Sequence, residues 1–265
     1  AALIEIDGRI LADATVEHDL HSPHTGWAEE DPRDWIAGTI AALRKLVASP
    51  ELDSDGIAAI GVSGMVPAMV LLDGDGHPVR PSIQQNDARS FAEVAELTDR
   101  IDQDLLYQLT GGNTNQQHIA PRLLWVQRNE PDAWQRTRTI LGSYDLVTAW
   151  LCDAPPAECS LELNWAVESG LYDFRNRRWV PELLAAVDLD PSYFPPVHDP
   201  TDTVGTLGPK AAAAVGLPAG IPIVAGSADH IASALAAGLR EDGDTLIKFG
   251  GAGDILYCSA EPITH

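Results

Sequence analysis

Cysteine is scarce: Cys152, Cys159 and Cys258 are the only three in a chain of 265 residues. They cannot all pair and none belongs to a Cys-x-x-Cys, which argues against a disulfide scaffold and a zinc site and suits a reducing cytoplasm. No run of about 18 apolar residues occurs, and no charged-then-apolar leader opens the chain at Ala1. Neither a membrane helix nor a secretion signal is therefore expected. Basic residues are few, 17 against 39 acidic ones, giving a net charge of −22. That balance repels nucleic acid and anionic membranes, and it repels a triphosphate too unless magnesium and backbone donors offset it. Repeats and low-complexity tracts are also missing. What is present, 45% hydrophobic residues, suffices for one large domain or two modest ones with a full core. The expectation is a cytoplasmic protein that takes a small molecule, not nucleic acid or membrane.

The most informative stretch is 221–253. Ile221, Ile223, Val224 and Ala225 make a short strand interrupted only by Pro222, and Gly226 lets the chain turn sharply. Asp229 then stands at the carboxyl end of that strand, where open α/β sheets gather their ligands. The segment from Ile231 to Gly238 has almost no polar side chain beyond Ser233, so a buried helix is expected. At its start, near the positive end of the helix dipole, Asp229 is placed to act as a base; an N-cap is the plainer role for the same residue. Thr245 to Phe249 is a second strand, closed by Gly250-Gly251-Ala252-Gly253. These glycines let backbone N–H groups approach an anion. The segment matches neither the Walker pattern nor Gly-x-Gly-x-x-Gly, however, and reads equally as a plain turn.

Upstream, Ala2 to Ala12 is two short apolar strands around Asp7-Gly8, a hairpin signal. His18, His21 and His24 recur every three residues, but Pro23 and Gly26 put them in a solvated loop rather than a metal site. Asp31 as N-cap and Pro32 at the first helical position begin a helix carrying Trp35, Ile36, Ile40, Leu43 and Val47, and packing is the expected role of Trp27 and Trp35. Ile57–Val62 and Ala68–Leu72 read as strands joined by Ser63 to Pro67. Gly61-Val62-Ser63-Gly64-Met65 is no serine-hydrolase elbow, because Met65 replaces the second glycine and a strand follows where a helix is needed. Asp73-Gly74-Asp75-Gly76 is a hairpin turn without the rest of a calcium loop. Next, Gln85, Asn86, Asp87 and Arg89 crowd polar groups together at a helix start. Asn and Asp there are ordinary caps. They also suit an open-chain sugar, whose hydroxyls each donate and accept and whose neighbouring pairs match a carboxylate or guanidinium fork. Phe91 to Leu109 reads as one helix, Ala120 to Pro131 and Tyr144 to Leu151 as others, and Pro209 to Gly216 as a short one.

Taken in order, these motifs resemble the FGGY family of sugar kinases, in the actin and hexokinase superfamily. In that family one strand ends in Gly-Gly-x-Asp, here Gly226-Ser227-Ala228-Asp229, and a later one in Gly-Thr-Ser-Gly, here Gly250-Gly251-Ala252-Gly253. A Trp-Asn-Asp-x-Arg sugar contact corresponds to Gln85-Asn86-Asp87-Ala88-Arg89, and Pro-Lys-Leu-Leu-Trp to Pro121-Arg122-Leu123-Leu124-Trp125. The segment from Trp27 to Trp35 is similar to the family's first helix. The resemblance covers Ala1 to about Pro262. It implies a ribonuclease-H-like α/β fold with a mixed sheet, residues 1–240 forming a sugar-binding domain and 241–265 the start of an ATP-binding one. It further implies phosphorylation of a small open-chain sugar or polyol, of the ketopentose or pentitol class, by ATP with Mg2+. Asp229 would be the base, while Met65, Gln85, Asn86, Asp87, Arg89 and His230 would line the sugar site. Gly250, Gly251 and Gly253 would face the phosphates, the metal ligands stay unassigned, and a homodimer is an expected assembly.

Several departures qualify what is carried over. The family's opening Asp-x-Gly-Thr has no counterpart at Asp7-Gly8, where Arg9 follows. The chain is therefore expected to begin downstream of that turn and to be inactive by itself. Xylulose kinases carry Gln-Met-His-Gly where this chain has Met65-Val66-Pro67-Ala68, so xylulose is not expected to be the best substrate. Gly251 and Ala252 replace Thr and Ser, leaving only backbone donors in that turn. A non-catalytic sugar-binding protein with a kinase-like fold is the rival reading.

Overall fold

An apolar run bounded by turns makes a strand buried on both faces. Val70–Leu72 does so, paired antiparallel with the equally buried Thr139–Leu141. The computed structural model describes residues 1–249, 253–261 and 263. Around that strand pair a main core collects Met69, Ile83, Ile119, Leu123, Tyr144 and Trp165, and a second core gathers Leu151, Leu207, Val215, Ile221 and Ile223.

The described residues form helices α1 (Pro32–Val47), α2 (Phe91–Arg100), α3 (Gln103–Thr110), α4 (Ile119–Asn129) and α5 (Pro131–Arg136). They continue with α6 (Ser143–Leu151), α7 (Leu163–Glu168), α8 (Pro181–Ala186), α9 (Pro209–Val215) and α10 (Asp229–Ala236). Helix α6 serves both cores, with Leu146 and Ala149 facing the first and Val147 and Leu151 the second. A helix apolar all round must be buried all round, and only Ser143 and Trp150 of α6 are even half exposed. Helix α1 starts as its sequence dictates: Asp31 accepts from the Arg33 N–H and Pro32 opens the first turn. The single helix expected over Phe91 to Leu109 is two. Ile101 leaves the helical region at φ −102 and ψ 135, and Asp102 begins α3 by accepting from the N–H groups of Asp104 and Leu105. A short acid that can cap the next turn competes with the helix that would run through it.

The opening hairpin pairs Ala2–Ile4 with Ile10–Asp13 as expected. The strand expected over Ile57–Val62 is mostly loop. It meets the sheet at Ile60, opposite Ile223, and joins it at Ser63–Gly64, opposite Ser227–Ala228, all in parallel register. Pro222 on the partner strand has no N–H to donate, which ends the ladder before Ile60. Between the two contacts the partner strand carries one residue more than its neighbour, and Gly226 takes up that bulge at φ +92. A Cβ at Gly226 would lie 2.1 Å from the Val62 carbonyl oxygen, so glycine is required.

Helix α10 differs from expectation. Only Ala234 is buried, while Ile231 is 37% and Leu235 55% exposed. The helix rests by one side on the Ser63–Gly64 and Ser227–Ala228 strands, which leaves Ile231 and Leu235 open. Thr245–Phe249 is a strand, as expected, paired antiparallel with Gly253–Tyr257. Gly250 and Gly251 of the expected phosphate turn lie outside the described residues. Among those described, no helix is long and apolar enough to cross a membrane.

Candidate functional site

Register defines the centre of the site. Because Ala228 pairs with Gly64, the residues that follow each strand, Asp229 and Met65, emerge side by side. Asp229 is the first residue of α10; the cap position belongs to Ala228, and no side chain caps this helix. The Asp229 side chain is 58% exposed, with His230 Nδ1 3.8 Å from its Oδ1. The expected N-cap role is thus not taken, and the carboxylate stands open at the positive end of a helix.

The Met65 loop is held from behind. Ser143 Oγ donates to the Met65 carbonyl at 3.0 Å, and Trp165 Nε1 to that of Ala68 at 2.9 Å. Gly64 lets α6 come close, since a Cβ there would lie 3.0 Å from Ser143 Oγ and 3.1 Å from Tyr144 Cβ. Below it is a buried acidic network. Tyr144 Oη donates to Glu162 Oε2 (2.7 Å), Asn164 Nδ2 to Glu162 Oε1 (2.6 Å), and the N–H groups of Glu162 and Gly142 to the two oxygens of Asp145 (2.9 Å each). Burial, reinforced by the Glu162 charge, pushes the Asp145 carboxyl well above the usual carboxylate range, and burial raises Glu162 as well.

The loop expected to touch the sugar divides in two. Asn86 is exposed and Gln85 half-buried, whereas Asp87 and Arg89 are turned inward with only 1% of each side chain exposed. Both Asp87 oxygens are engaged, Oδ1 by the Arg89 N–H and Nε (2.9 Å each) and Oδ2 by the Ala28 N–H (2.6 Å) and Arg89 Nη2 (2.7 Å). Burial works against ionisation of Asp87, but these hydrogen bonds prevail and hold its carboxyl below the ordinary value. Arg89 also pairs with Glu29 at 2.7 Å, and its guanidinium lies over Trp27, 3.8 Å from the ring centroid. Trp27 therefore packs, as its sequence context suggests, and it packs on this arginine. Asp87 and Arg89 are thus engaged with each other and with the Trp27–Glu29 segment, whereas Asn86 is exposed and Gln85 half-buried.

Two further residues stand beside these loops: Arg122, which the sequence shows only as part of a helix motif, and Glu168, which no motif marks. Arg122 on α4, fully buried, donates from Nη1 to the Pro67 carbonyl (2.8 Å) and from Nη2 to those of Gln85 (3.0 Å) and Gln116 (3.1 Å). Glu168, at the end of α7, is half-buried; burial raises its carboxyl above the usual range and the nearby His230 opposes that rise. A lone charge in an apolar helix was the available signal for Arg122, within Ile119-Ala120-Pro121-Arg122-Leu123-Leu124, and likewise for Asp145 in α6.

Other features lie apart from this cleft. His18 Nε2 is 3.0 Å from Glu30 Oε2, and His24 meets Trp27 edge-on, so the three spaced histidines share no ligand geometry. The only metal-sized grouping among the described residues is Asp73, Asp75 and His77 at the hairpin turn. A cavity of about 630 Å³ between α1 and α6 is lined by Ser63, Gly64, Met65 and Gln84 and includes none of Asn86, Asp87 and Asp229. Gly253 begins its strand in the open, with nothing within 4 Å of a Cβ placed there.

Comparison with known proteins matches residues 1–236 to the FGGY family of carbohydrate kinases, N-terminal domain. The xylulose kinase of Lactococcus lactis is 30% identical over 253 residues, 95% of this chain and 49% of that protein. That of Bacillus subtilis is 29% identical over 259 residues, 98% of this chain and 51% of that protein. The crystal structure of xylulose kinase from Rhodospirillum rubrum superimposes with a TM-score of 0.90 at 41% identity, over 99% of this chain and 54% of that one. Plasmodium falciparum glycerol kinase with ADP, at 18% identity, gives 0.88 over 97% of this chain and 51% of that one, a likeness of fold alone. The chain spans about half the length of the curated relatives it matches. These likenesses bear out the ribonuclease-H-like, actin and hexokinase type of α/β fold.

Proposed function

We propose, from the premise that this chain belongs to the FGGY family of carbohydrate kinases and forms the family's N-terminal domain over residues 1–236, that it is the sugar-holding domain of an ATP-dependent kinase. The acceptor is a hydroxyl of a small open-chain sugar or polyol of the ketopentose or pentitol class. The observation that carries this reading is the register of Ala228 with Gly64, which leaves an open, uncapped carboxylate beside the Met65 loop. Asp229 takes the proton from the attacking hydroxyl. Gln85 and Asn86 bind sugar hydroxyls, Met65 and His230 flank them, and Asp87 and Arg89 keep the loop in shape. An exposed carboxylate at this position favours phosphorylation over binding alone.

ATP supplies the phosphoryl group when bound, and Mg2+ neutralises its charge. Among the described residues the one metal-sized grouping, Asp73, Asp75 and His77, does not include Asp229, and the roles proposed for this chain are those of the acceptor side. The xylulose kinases among the relatives support a ketopentose. Pro67 offers no donor where those enzymes are expected to carry histidine, and D-xylulose is accordingly not the preferred member of the class.

The test is made on the protein that carries this domain, by screening ATP-dependent phosphorylation over ketopentoses and pentitols and then comparing Asp229→Asn with the wild type. Removing a general base lowers turnover about 10²–10⁴-fold, and sugar affinity should change far less. A variant that keeps more than about a tenth of wild-type turnover would remove Asp229 from this role.

A further inference from the structure

Arg122 is 0% exposed and makes no ion pair among the described residues. Burial pushes its guanidinium down to about 10, with the Asp87 charge opposing that shift and Arg89 adding to it. A buried cation without a salt-bridge partner is costly unless its donors are matched. Its Nη donors are matched by backbone carbonyls alone, while Nε has no partner.

The three acceptors belong to three different loops. Pro67 ends the loop that carries Met65, Gln85 stands in the loop that carries Asn86, and Gln116 lies in the segment that leads into α4. Gln116 also donates from Nε2 to the Asp87 carbonyl at 3.0 Å, which ties the second and third loops once more. All three loops meet at the Arg122 guanidinium, and their spacing is set by one planar fork of fixed geometry. Lysine, a point charge on a flexible stem, cannot reproduce that fork.

We infer that Arg122 is a positioning residue for the sugar. By holding the carbonyls of Pro67, Gln85 and Gln116 it fixes the distance between the cleft walls, so that sugar affinity depends on it while the chemical step does not. The ligand's identity rests on the kinase reading above; the coupling of the loops does not. Asp229 lies on α10, which Arg122 does not touch, and maximal turnover should therefore be spared.

The experiment compares Arg122→Lys and Arg122→Met with the wild type by hydrogen–deuterium exchange of the free protein, by calorimetric titration with D-xylulose and with xylitol, and by steady-state kinetics. In Arg122→Lys, amides of segments 64–67, 84–87 and 115–118 should exchange faster as a group, with α1 and α9 unchanged. The dissociation constant of whichever sugar the wild type binds should rise about ten- to a hundredfold, as the loosened loops lose one to two of their neutral hydrogen bonds to it. Michaelis constants should follow, with kcat kept within about threefold. Arg122→Met should show the same pattern more strongly. The inference is overturned if exchange quickens only within α4 or evenly across the chain, or if the loops loosen while affinity stays at the wild-type value. Should the wild type bind neither sugar, the kinase reading loses its substrate class, and the exchange pattern alone decides whether Arg122 couples the three loops.

Discussion

Gln85 and Asp87 stand two positions apart in surroundings of opposite kind. Gln85 is half-buried at the cleft, whereas Asp87 is enclosed by Arg89, Ala28 and, through Arg89, Glu29 and Trp27. Breaking a buried ion pair by removing one partner costs about 3–5 kcal/mol, because the remaining charge is left without compensation. Asp87→Ala should therefore lower the free energy of unfolding by about that amount. Gln85→Ala should leave unfolding unchanged and weaken sugar binding by about 0.5–1.5 kcal/mol, as befits a neutral hydrogen bond. Urea denaturation and calorimetry read the two quantities separately, and an Asp87→Ala protein as stable as the wild type would refute the loop-shaping role. Residue types were legible here and orientation was not. The sequence shows Asn86, Asp87 and Arg89 as one polar cluster, but which of them face inward is decided by Trp27 and Glu29, about sixty positions earlier.

Elements were legible where local chemistry and packing agree. The cap of α1, the opening hairpin and the strand before Gly226 follow directly from Asp31-Pro32, Asp7-Gly8 and the apolar run at Ile221. The structure departs from the sequence pattern where a partner decides, as Pro222 shortens its neighbour's strand and α10 keeps its apolar side chains exposed, and where one local cap outweighs helical periodicity, as Asp102 divides a helix. Gly226 links this scale to the site. It closes the bulge that brings Asp229 beside Met65, and a methyl group there would collide with the Val62 carbonyl at positive φ. Left-handed backbone alone costs a non-glycine residue about 1–3 kcal/mol, to which the collision adds. Gly226→Ala should accordingly destabilise the protein by at least about 2 kcal/mol and weaken sugar binding as the collision at Val62 displaces the Met65 loop that follows it. Thermal unfolding checks the first effect and titration the second; a loss below about 0.5 kcal/mol would mean the strand relaxes around the methyl group.

The molecule as a whole carries a net charge of −22, yet it holds a buried guanidinium at Arg122 and an open carboxylate at Asp229 whose placement owes nothing to that total. Composition bounded the class of ligand, and only the fold could bring Pro67, Gln85 and Gln116 onto Arg122 and set Asp229 beside Met65. The same fold makes α6 a wall common to both cores, and from this follows how the protein comes apart. Neither core can lose its packing without stripping one side of the helix that closes the other, so the two should open as a single cooperative unit. The thiols provide reporters for this, since Cys159 is buried in the first core and Cys152 packs against the second. Both should become reactive toward an alkylating agent over the same span of urea concentration. Two separate protection curves would instead mean that the shared helix can release one core while it still holds the other.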